Sequence, residues 1–328
     1  MVKRTEAGPA EPPYERAMAA AMGALPPGRY LLAVSGGRDS MALLDAFVRW
    51  RDDACAVATF DHGTGRAATA AAALVDAEAT ARGLVVVSGH IERGASTEAA
   101  WRAERWRFLS GWARELRARV VTAHTRDDQL ETVVIRALRG AGARGLAAMY
   151  APSAVARPLV DVPRARVAAY AASRGLPVAD DPSNAGRAHL RNRVRLDLLP
   201  ALERAHPGFG EEMLAVSRRA AAWRAGVEAL VDRIVADGAD PASGADGRRA
   251  VVAAAALEGL PGEGLAILWP AIAGRAGVAL DWRGTERLAA FTNDARSGQQ
   301  VPLSGGVRVR RTATSFVLEA APQADPLY

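Results

Sequence analysis

Residues 30–40 read Tyr-Leu-Leu-Ala-Val-Ser-Gly-Gly-Arg-Asp-Ser and form the most informative stretch of the chain. The apolar run from Tyr30 to Val34 predicts a buried strand that stops at a tight Ser-Gly-Gly turn, and a helical pattern from Met41 to Phe47 follows at once. Such a junction leaves backbone N–H groups without intrachain partners and directs the positive end of the helix dipole at the turn. The stretch therefore predicts a loop that binds phosphate.

The spacing of this loop excludes two familiar phosphate loops. A Walker A loop needs Gly-x-x-x-x-Gly-Lys-Ser/Thr and a dinucleotide loop needs Gly-x-Gly-x-x-Gly, whereas this loop has neither spacing and Lys3 is the only lysine of the chain. Two adjacent glycines allow backbone amides to approach phosphate oxygens, and Asp39 is a candidate ligand for Mg²⁺ beside a polyphosphate. In the simpler alternative, the glycines only make the turn and the serines cap the helix. The candidate nucleotide-binding residues are Ser35, Gly36, Gly37, Arg38, Asp39 and Ser40.

Composition and charge narrow the class of protein. With 328 residues, 50% of them apolar, the chain is long enough for a larger core domain and one or two smaller ones. The formal net charge of +6 is compatible with a polyanionic partner such as nucleic acid. The single cysteine, Cys55, excludes a disulfide framework, a Cys-x-x-Cys redox pair and a Cys/His zinc site, and it indicates a reducing, cytoplasmic setting. We find neither a signal peptide nor an apolar stretch of membrane-spanning length, so we expect a soluble protein without a membrane partner.

From residue 28 to about 138, short apolar runs alternate with helical patterns. Strands without polar alternation, each separated by a helix, are typical of a parallel sheet covered on both faces. We therefore predict an α/β fold with a doubly wound parallel sheet, followed by a smaller, mainly helical C-terminal region with a short β tail. The predicted strands of the sheet are 30–34, 54–60, 84–88 and 119–123.

Three segments are expected along the chain. Residues 1–27 are predicted to contain a disordered segment and a short helix, 28–207 the nucleotide-binding domain, and 208–328 a helical domain that ends in a β-hairpin. The boundary is placed where a Pro-Gly pair ends one helix and long Ala/Arg-rich helices begin. Short helices are predicted from about 249 to 293, and the hairpin at 299–319.

Polar residues follow the apolar strands, at the edge where parallel sheets bind ligands. Asp61 and His62 follow the second strand, and His124 follows the fourth. Asp128 and Glu131 are three residues apart near the start of the next helix, so they share one of its faces and could bind a metal or an ammonium group. The alternative is a solvated helix start, where acidic residues are common.

One face of the helix predicted at 97–117 carries Glu98, Arg102 and Arg105 at positions i, i+4 and i+7. The simpler explanation of this spacing is an exposed ion pair between residues four apart. The opposite side of the helix is apolar and is predicted to lie in the core.

Arginine is concentrated between residues 132 and 178, where seven arginines accompany a single aspartate. Within this strip, the loop 139–145 is flexible and basic, as a loop that contacts a nucleic-acid backbone would be, although such composition is also common in ordinary loops. Arg191 and Arg195 are four apart in a helical pattern, so they project together and could hold phosphates.

Taken in order, these segments resemble the motifs of the tRNA(Ile)-lysidine synthases, a family of PP-loop ATP pyrophosphatases. The motifs are Ser-Gly-Gly-x-Asp-Ser at 35–40, Asp-His-Gly at 61–63, Glu-x-x-x-Arg-x-x-Arg-aromatic at 98–106, His-Thr-x-Asp-Asp-Gln-x-Glu-Thr at 124–132, Arg-Pro-Leu at 157–159, Asp-Pro-Ser-Asn at 181–184 and Arg-Asn-x-x-Arg at 191–195. Two places depart from the family pattern. Gly63-Thr64-Gly65-Arg66 stands where the family has Gly-Leu-Arg, and Trp106 replaces a tyrosine.

The resemblance implies a cytoplasmic ligase that uses ATP and Mg²⁺. It would join the ε-amine of free L-lysine to C2 of the first anticodon cytidine of an isoleucine tRNA with the anticodon CAU. The cytidine is first adenylylated, and pyrophosphate and AMP are released. By this resemblance, residues 35–40 bind ATP together with Asp61 and His62, and Asp39 holds the metal.

The resemblance also implies roles for the remaining motif residues. Arg102 or Arg105 would neutralise the α-phosphate, Asp128 and Glu131 would bind lysine, and His124 or one of these acids would accept a proton from the lysine amine. The residues expected to be catalytic are Asp39, Arg102, Arg105, His124 and Asp128. Those expected to contact tRNA are Arg139, Arg144, Arg191, Arg193 and Arg195, with 208–328 as a tRNA-binding domain.

Two alternatives remain open at the level of sequence. One is another tRNA-modifying PP-loop ATP pyrophosphatase, although a thiolase would need cysteines besides Cys55, and ammonia-using ligases normally have a glutaminase that is not evident here. The other is a non-catalytic nucleotide-binding protein of the same fold, which would leave Asp128 and Glu131 unexplained. The oligomeric state is also open, with a homodimer as one alternative.

Overall fold

The computed structural model describes residues 12–61, 63, 65–91, 98–179, 186–187, 189–235 and 249–320, with the backbone alone at 98 and 99. His62 and the Asp-Pro-Ser-Asn motif lie outside the described residues, as do residues 1–11 of the segment predicted to be disordered. Two compact units divide the chain between Ala221 and Ala222. The division falls inside the helix Phe209–Ile234 rather than at residue 207.

A four-stranded parallel sheet forms the centre of the first unit. Its strands are β1 (Tyr30–Ala33), β2 (Cys55–Asp61), β3 (Val85–His90) and β4 (Arg119–Thr122), in the order β3-β2-β1-β4. Ala33 at the end of β1 lies opposite Ala58 of β2 and Thr122 of β4. The predicted parallel sheet is confirmed, and its four strands bring their carboxyl ends to one edge.

The helices as far as residue 234 are α1 (Pro13–Gly23), α2 (Arg38–Trp50), α3 (Arg66–Ala81), α4 (Glu98–Glu115), α5 (Arg126–Leu138), α6 (Ala143–Leu146), α7 (Arg164–Ser173), α8 (Leu190–Arg193), α9 (Leu199–Ala205) and α10 (Phe209–Ile234), the last of which continues into the second unit. Helices α1, α2, α3 and α7 pack on one face of the sheet, and α4 packs on the other. Successive strand residues point to opposite faces. Leu32 packs in a core with α1, α2 and α7, whereas its neighbour Leu31 packs in a second core with Leu109 and Trp106 of α4. The double layer explains why the strands read as continuous apolar runs.

Helix α7 is fixed against α2 by a buried polar contact. The Tyr170 hydroxyl donates to Asp45 at 2.6 Å, and the Tyr170 ring lies 5.7 Å from that of Trp50. Tyr170 is fully buried, so this contact holds α7 firmly on the sheet. The start of α7, Arg164, reaches the carboxyl edge of the sheet and contributes to the site described below.

The described part of the second unit contains a four-stranded antiparallel sheet, the C-terminal part of α10 and two further helices. Its elements are β5 (Arg249–Ala253), α11 (Gly262–Arg275), α12 (Trp282–Asp294), β6 (Gln300–Pro302), β7 (Val307–Arg311) and β8 (Ser315–Ala320), with the strand order β5-β8-β7-β6. The helical region with a β tail is confirmed, but the prediction of short helices from residue 249 was wrong at its start, where β5 pairs with β8. In the part of the chain that the structure describes, no helix has both the length and the apolar character needed to cross a membrane.

Candidate active site

The turn between β1 and α2 is a compact loop whose shape depends on glycine at one position. Gly36 has a φ of +81°, and a Cβ atom there would lie 2.9 Å from the backbone oxygen of Ala71. Both facts disfavour any side chain at this position. The Ser40 hydroxyl donates to the Gly37 oxygen at 2.8 Å and accepts from the Ser35 amide at 3.1 Å. The serines therefore brace the loop at the start of α2, where the unpaired helix N–H groups lie.

A cavity of about 700 Å³ opens beside this loop at the carboxyl ends of the strands. Segments that are far apart in sequence converge on it, as expected for a parallel sheet. Its polar and charged lining residues are Ser35, Arg38, Asp39, Ser40, Arg105, Thr122, His124, Asp128, Arg164, Arg191 and Arg195. The phosphate loop and the predicted acid and histidine thus share one site.

Asp39 is a half-buried carboxylate in the wall of this cavity, and one of its oxygens makes no hydrogen bond. Its Oδ1 atom is inaccessible to solvent and has no hydrogen-bond partner, since the Arg38 Nε atom is 3.6 Å away. Its Oδ2 atom lies 3.5 Å from the Nε atom of Arg164. Burial raises the pKa of Asp39, although Arg164 and Arg38 oppose the shift. A carboxylate oxygen without a partner beside a phosphate loop fits a Mg²⁺ ligand.

Asp128 begins α5 and pairs with both the backbone and arginine. Its Oδ2 atom accepts from the Thr125 amide and hydroxyl, each at 2.8 Å, which caps the helix. Its Oδ1 atom accepts from Arg164 at 2.8 Å and from Arg191 at 3.1 Å. Burial disfavours the charge, but Arg164, Thr125 and Arg191 outweigh it and lower the pKa of Asp128. The side chain is therefore ionised at neutral pH.

Glu131 lies one turn further along α5 and is only 1% exposed. Its Oε1 atom accepts from Arg195 at 2.6 Å and from Arg164 at 3.1 Å. Its Oε2 atom accepts from Arg191 at 2.7 Å and from Arg195 at 3.1 Å. Burial disfavours the charge of Glu131, but hydrogen bonds from Arg195 and the charge of Arg191 prevail and lower its pKa.

Asp128, Glu131, Arg164, Arg191 and Arg195 form what we call the carboxylate–arginine cluster. Three guanidinium groups face two carboxylates, so the cluster carries a net positive charge. Arg191 and Arg195 were predicted as phosphate ligands, and both donate to Glu131 through Nε. Their side chains are 36% and 28% exposed, so part of each remains accessible from the cavity. Glu131 has no such accessible surface and acts on the site through the arginines it holds.

His124 lies between the cluster and the end of β4. Its Nδ1 atom is 2.7 Å from the Thr122 hydroxyl. Burial lowers the pKa of His124 to about 4, and the charges of Arg157, Arg191 and Arg105 add to the shift, while Asp128 opposes it. The imidazole is therefore neutral at pH 7 and able to accept a proton.

Known proteins match the chain over most of its length. A family model described as a PP-loop domain matches residues 11–202. The tRNA(Ile)-lysidine synthase of Salinispora tropica is 37% identical over 314 residues, which cover 88% of this chain and 89% of that protein. The tRNA(Ile)-lysidine synthase of Salinispora arenicola is 36% identical, with 94% and 96% covered. The chain belongs to the tRNA(Ile)-lysidine synthase family. The family's Rhodopseudomonas palustris member is 41% identical over 217 residues, 62% of either chain.

Other residues of the family motifs shape the loops around the cavity. Asp61 accepts from the Gly63 amide and the Thr69 hydroxyl, each at 2.8 Å, so both of its carboxylate oxygens are used to hold its own loop. Arg105 lies in the cavity wall, whereas Arg102 is exposed on α4. Trp106 packs in the core beneath α4, as expected for the apolar side of that helix. The side chain of Glu98 and the whole of His62 lie outside the described residues.

The arginines expected to contact tRNA lie in two different settings. Arg139 and Arg193 are exposed, and Arg144 is half-buried in the short helix α6. None of these three lines the cavity of the family's phosphate loop, whereas Arg191 and Arg195 do.

Sequence reasoning considered Arg164 only as part of the basic strip expected to contact the tRNA backbone, whereas it bonds both acids of the cluster and approaches Asp39. The Asp127 carboxylate accepts from the Arg164 amide at 2.8 Å, so α5 also holds the start of α7. Arg164 lies in the arginine-rich strip, but nothing in its local sequence distinguishes it from its neighbours.

A second residue that sequence reasoning passed over is Gln129, which is fully buried beside Asp128. Its amide donates to the Ser217 hydroxyl at 2.7 Å and accepts from the Met149 amide at 2.8 Å. These bonds hold a turn in which Ala148 has a φ of +46°, an unfavourable value for alanine. Its place in the family motif was the only signal for it.

Proposed function

We propose that this protein joins the ε-amine of lysine to C2 of the first anticodon cytidine of a CAU-bearing isoleucine tRNA, with ATP cleaved to AMP and pyrophosphate. The observation that carries the proposal is that the phosphate loop, Asp39, His124 and four members of the carboxylate–arginine cluster line one shared cavity. This reaction must bring together a nucleotide, an amine and a positively charged surface that can bind RNA.

The phosphate loop is the proposed site of the ATP pyrophosphate. Backbone amides at the start of α2 and the Arg38 guanidinium would bind its oxygens. Asp39 would hold Mg²⁺ through its free Oδ1 atom, and the metal would neutralise charge on the phosphates. Because no group of three or more His, Cys, Asp or Glu side chains suited to a metal occurs among the described residues, phosphate oxygens and water would complete the shell.

The first chemical step is adenylylation of the cytidine. The O2 atom of the base attacks the α-phosphorus, a new P–O bond forms, and the bond to the pyrophosphate oxygen breaks. Arg105 in the cavity wall is placed to stabilise negative charge on the α-phosphate. Arg102 lies three residues away on α4 and is exposed, so Arg105 is the candidate of these two for the α-phosphate.

The second step is displacement of AMP by lysine. The ε-amine forms a C–N bond at C2, the C–O bond breaks, and AMP leaves with the oxygen. We assign Asp128 to the lysine ammonium, because its side chain is 14% exposed in the cavity wall while that of Glu131 is 1% exposed. Glu131 would position the arginines around the amine. A lysine at Asp128 must share this carboxylate with Arg164 and Arg191.

The lysine ammonium must lose a proton before it attacks. Asp128 and Glu131 both have lowered pKa values, so they are poor proton acceptors. His124 has a pKa of about 4, so it is a weak base as well, but it is neutral at pH 7 and we keep it as the candidate because both acids are already held by arginines. The positive charges of the cluster favour loss of the ammonium proton.

The RNA partner would be held outside the chemical site. Arg139, Arg144 and Arg193 would contact the phosphate backbone of the tRNA, with further contacts from the second unit. Arg191 and Arg195 would face the RNA with the parts of their side chains that Glu131 does not cover.

Transfer of labelled lysine tests this proposal. The protein is incubated with ATP, labelled lysine and a transcribed CAU-bearing isoleucine tRNA, and label is expected in the RNA. A tRNA with uridine at the first anticodon position is the matched control and should remain unlabelled. Release of pyrophosphate on tRNA without incorporation of lysine would favour another PP-loop modification. Nucleotide binding without turnover on any tRNA would favour a non-catalytic binding protein.

A further inference from the structure

A second set of arginines lies beside the cavity and lacks carboxylate partners. We call Arg102, Arg105, Arg136 and Arg157 the unpaired arginine group. In the part of the chain that the structure describes, none of them forms an ion pair with an aspartate or glutamate. Arg136 donates to the backbone oxygen of Gly145 at 2.7 Å, and Arg157 makes a long contact of 3.5 Å to that of Val155.

Backbone pairing places Arg157 next to the chemical site. Ala156 donates to the Val120 oxygen at 2.8 Å and accepts from the Thr122 amide at 3.0 Å, so this segment runs alongside β4. Arg157 follows immediately and lies near His124, whose pKa its charge helps to lower. Arg105 lines the cavity with His124. Among the described members of the group, Arg105 lines the cavity and Arg157 lies next to it beside β4, whereas Arg102 and Arg136 lie outside its lining.

The group is costly for the folded protein. Burial and the charge of Arg102 lower the pKa of Arg105, Arg136 and Arg157, which shows that these like charges repel one another. The Nε atoms of Arg105 and Arg157 are also inaccessible to solvent and have no hydrogen-bond partner. Buried donors without partners and close like charges both destabilise a fold. An anion bound between the guanidinium groups would relieve both costs.

We propose that Arg136 and Arg157, with Arg102 beside them, bind a phosphodiester group of the RNA strand next to the cavity. The inference rests on the proposed function, since it names where the substrate strand is held. The guanidinium fork suits a phosphate because it can donate two parallel hydrogen bonds.

Two observations favour the RNA strand over the nucleotide as the source of this phosphate. The pyrophosphate of ATP has its own loop at Ser35–Ser40, on the side of the cavity where Asp39 approaches Arg164. Arg136 is bonded to Gly145 of the basic 139–145 loop, and a strand that arrives from solvent can approach the group at the exposed Arg102.

The test compares Arg136→Gln and Arg157→Gln with Arg49→Gln. Arg49 is exposed near the far end of α2 and pairs with Glu15, so its variant removes the same charge away from the cavity. tRNA affinity is measured by fluorescence anisotropy at several salt concentrations, and the KM for ATP by pyrophosphate release. For each of the two site variants we expect the Kd for tRNA to rise about tenfold and the slope of log Kd against log salt to fall by about one. The KM for ATP should stay within about twofold, and the control should match the wild type.

Thermal unfolding separates binding from a structural role. Because the group repels itself, the Gln variants should have the same Tm as the wild type or a higher one. Arg157→Lys keeps the charge but not the fork and should weaken tRNA binding less than Arg157→Gln; it also serves as the test variant if a Gln variant does not fold. Unchanged tRNA affinity in the folded variants would overturn the inference, and so would an effect confined to the KM for ATP. If the wild type does not transfer lysine but the variants still bind tRNA more weakly, the proposed function is refuted and the phosphodiester site is supported.

Discussion

Replacing Glu131 with glutamine tests whether this buried carboxylate holds the cavity arginines in place. The wild-type side chain accepts hydrogen bonds from Arg164, Arg191 and Arg195 while being only 1% exposed. Breaking a buried ion pair from one side costs about 3–5 kcal/mol, because the remaining charge is left without compensation. Arg191 and Arg195 are 36% and 28% exposed, so water can solvate them in the variant and the cost falls toward the lower end.

We therefore expect Glu131→Gln to lower the free energy of unfolding of the first unit by about 2–3 kcal/mol. In this variant, Asp128 is the remaining carboxylate of the cluster that offsets the charge of the arginines. For a unit of this size that corresponds to a fall in Tm of about 5–10 °C. Circular dichroism during heating and urea unfolding measure both quantities. Glu104→Gln is the matched control, because Glu104 forms an exposed pair with Arg107 on α4 and should contribute less than about 1 kcal/mol.

The pH dependence of this difference gives a second, independent check. The folded protein lowers the pKa of Glu131 below its ordinary value of 4.5. Its stabilising effect is therefore complete above about pH 4.5 and is lost as pH falls through the lower, folded-state pKa. The gap in stability between wild type and Glu131→Gln should narrow in acid. A gap below 1 kcal/mol at pH 7, or one that is the same at pH 7 and pH 3.5, would refute the assignment.

Three further variants address other parts of the site. Gly36→Ala should weaken ATP binding by tenfold or more, because the φ of +81° at Gly36 and the 2.9 Å approach of Ala71 leave no room for a Cβ atom. Gly37→Ala is the control and should fold normally, because Gly37 has a φ of −72°. Equal ATP affinity in the two variants would contradict this prediction. Asp39→Asn should abolish pyrophosphate release without lowering the Tm, because burial raises the pKa of this carboxyl group and disfavours its charge. A lower Tm of the variant would assign Asp39 a structural role. His124 has a pKa of about 4 in the folded protein and 6.5 in the unfolded chain, so the free energy of unfolding of the wild type should fall as the pH drops from 6.5 to 4. In urea unfolding, the free energy of unfolding of His124→Gln should fall less over the same pH range. Parallel stability curves for His124→Gln and wild type would show that the imidazole is not held neutral by the fold.

The two arginine sets around the cavity differ in what stabilises them. Arg164, Arg191 and Arg195 are held by two carboxylates, whereas Arg105 and Arg157 have buried Nε atoms without partners. The first set is part of the folded architecture. The second would gain its partners when substrates bind, which is the pattern expected of residues kept for binding rather than stability.

Much of the first unit follows from short-range pattern. Each predicted strand of the parallel sheet lies within one or two residues of an observed one, because apolar runs separated by helices have few other solutions. The phosphate loop could also be recognised locally, since the strand, the glycine turn and the helix start are contiguous. Strand β5 was missed because Arg249–Ala253 is short and pairs with β8, more than 60 residues later, so its neighbours carry no sign of that partner.

Contiguous residues were thus enough to specify the sheet, its binding edge, the glycine loop and the shared helix face of Asp128 and Glu131. The arginines that bind these two acids could be identified only from the folded structure. The arginines come from 33 to 64 residues away, brought in by the packing of α7 and of residues 190–198 against α5. Spacing within a helix predicts which side chains are neighbours on that helix, but the partner of a buried charge depends on which distant segments the core draws together.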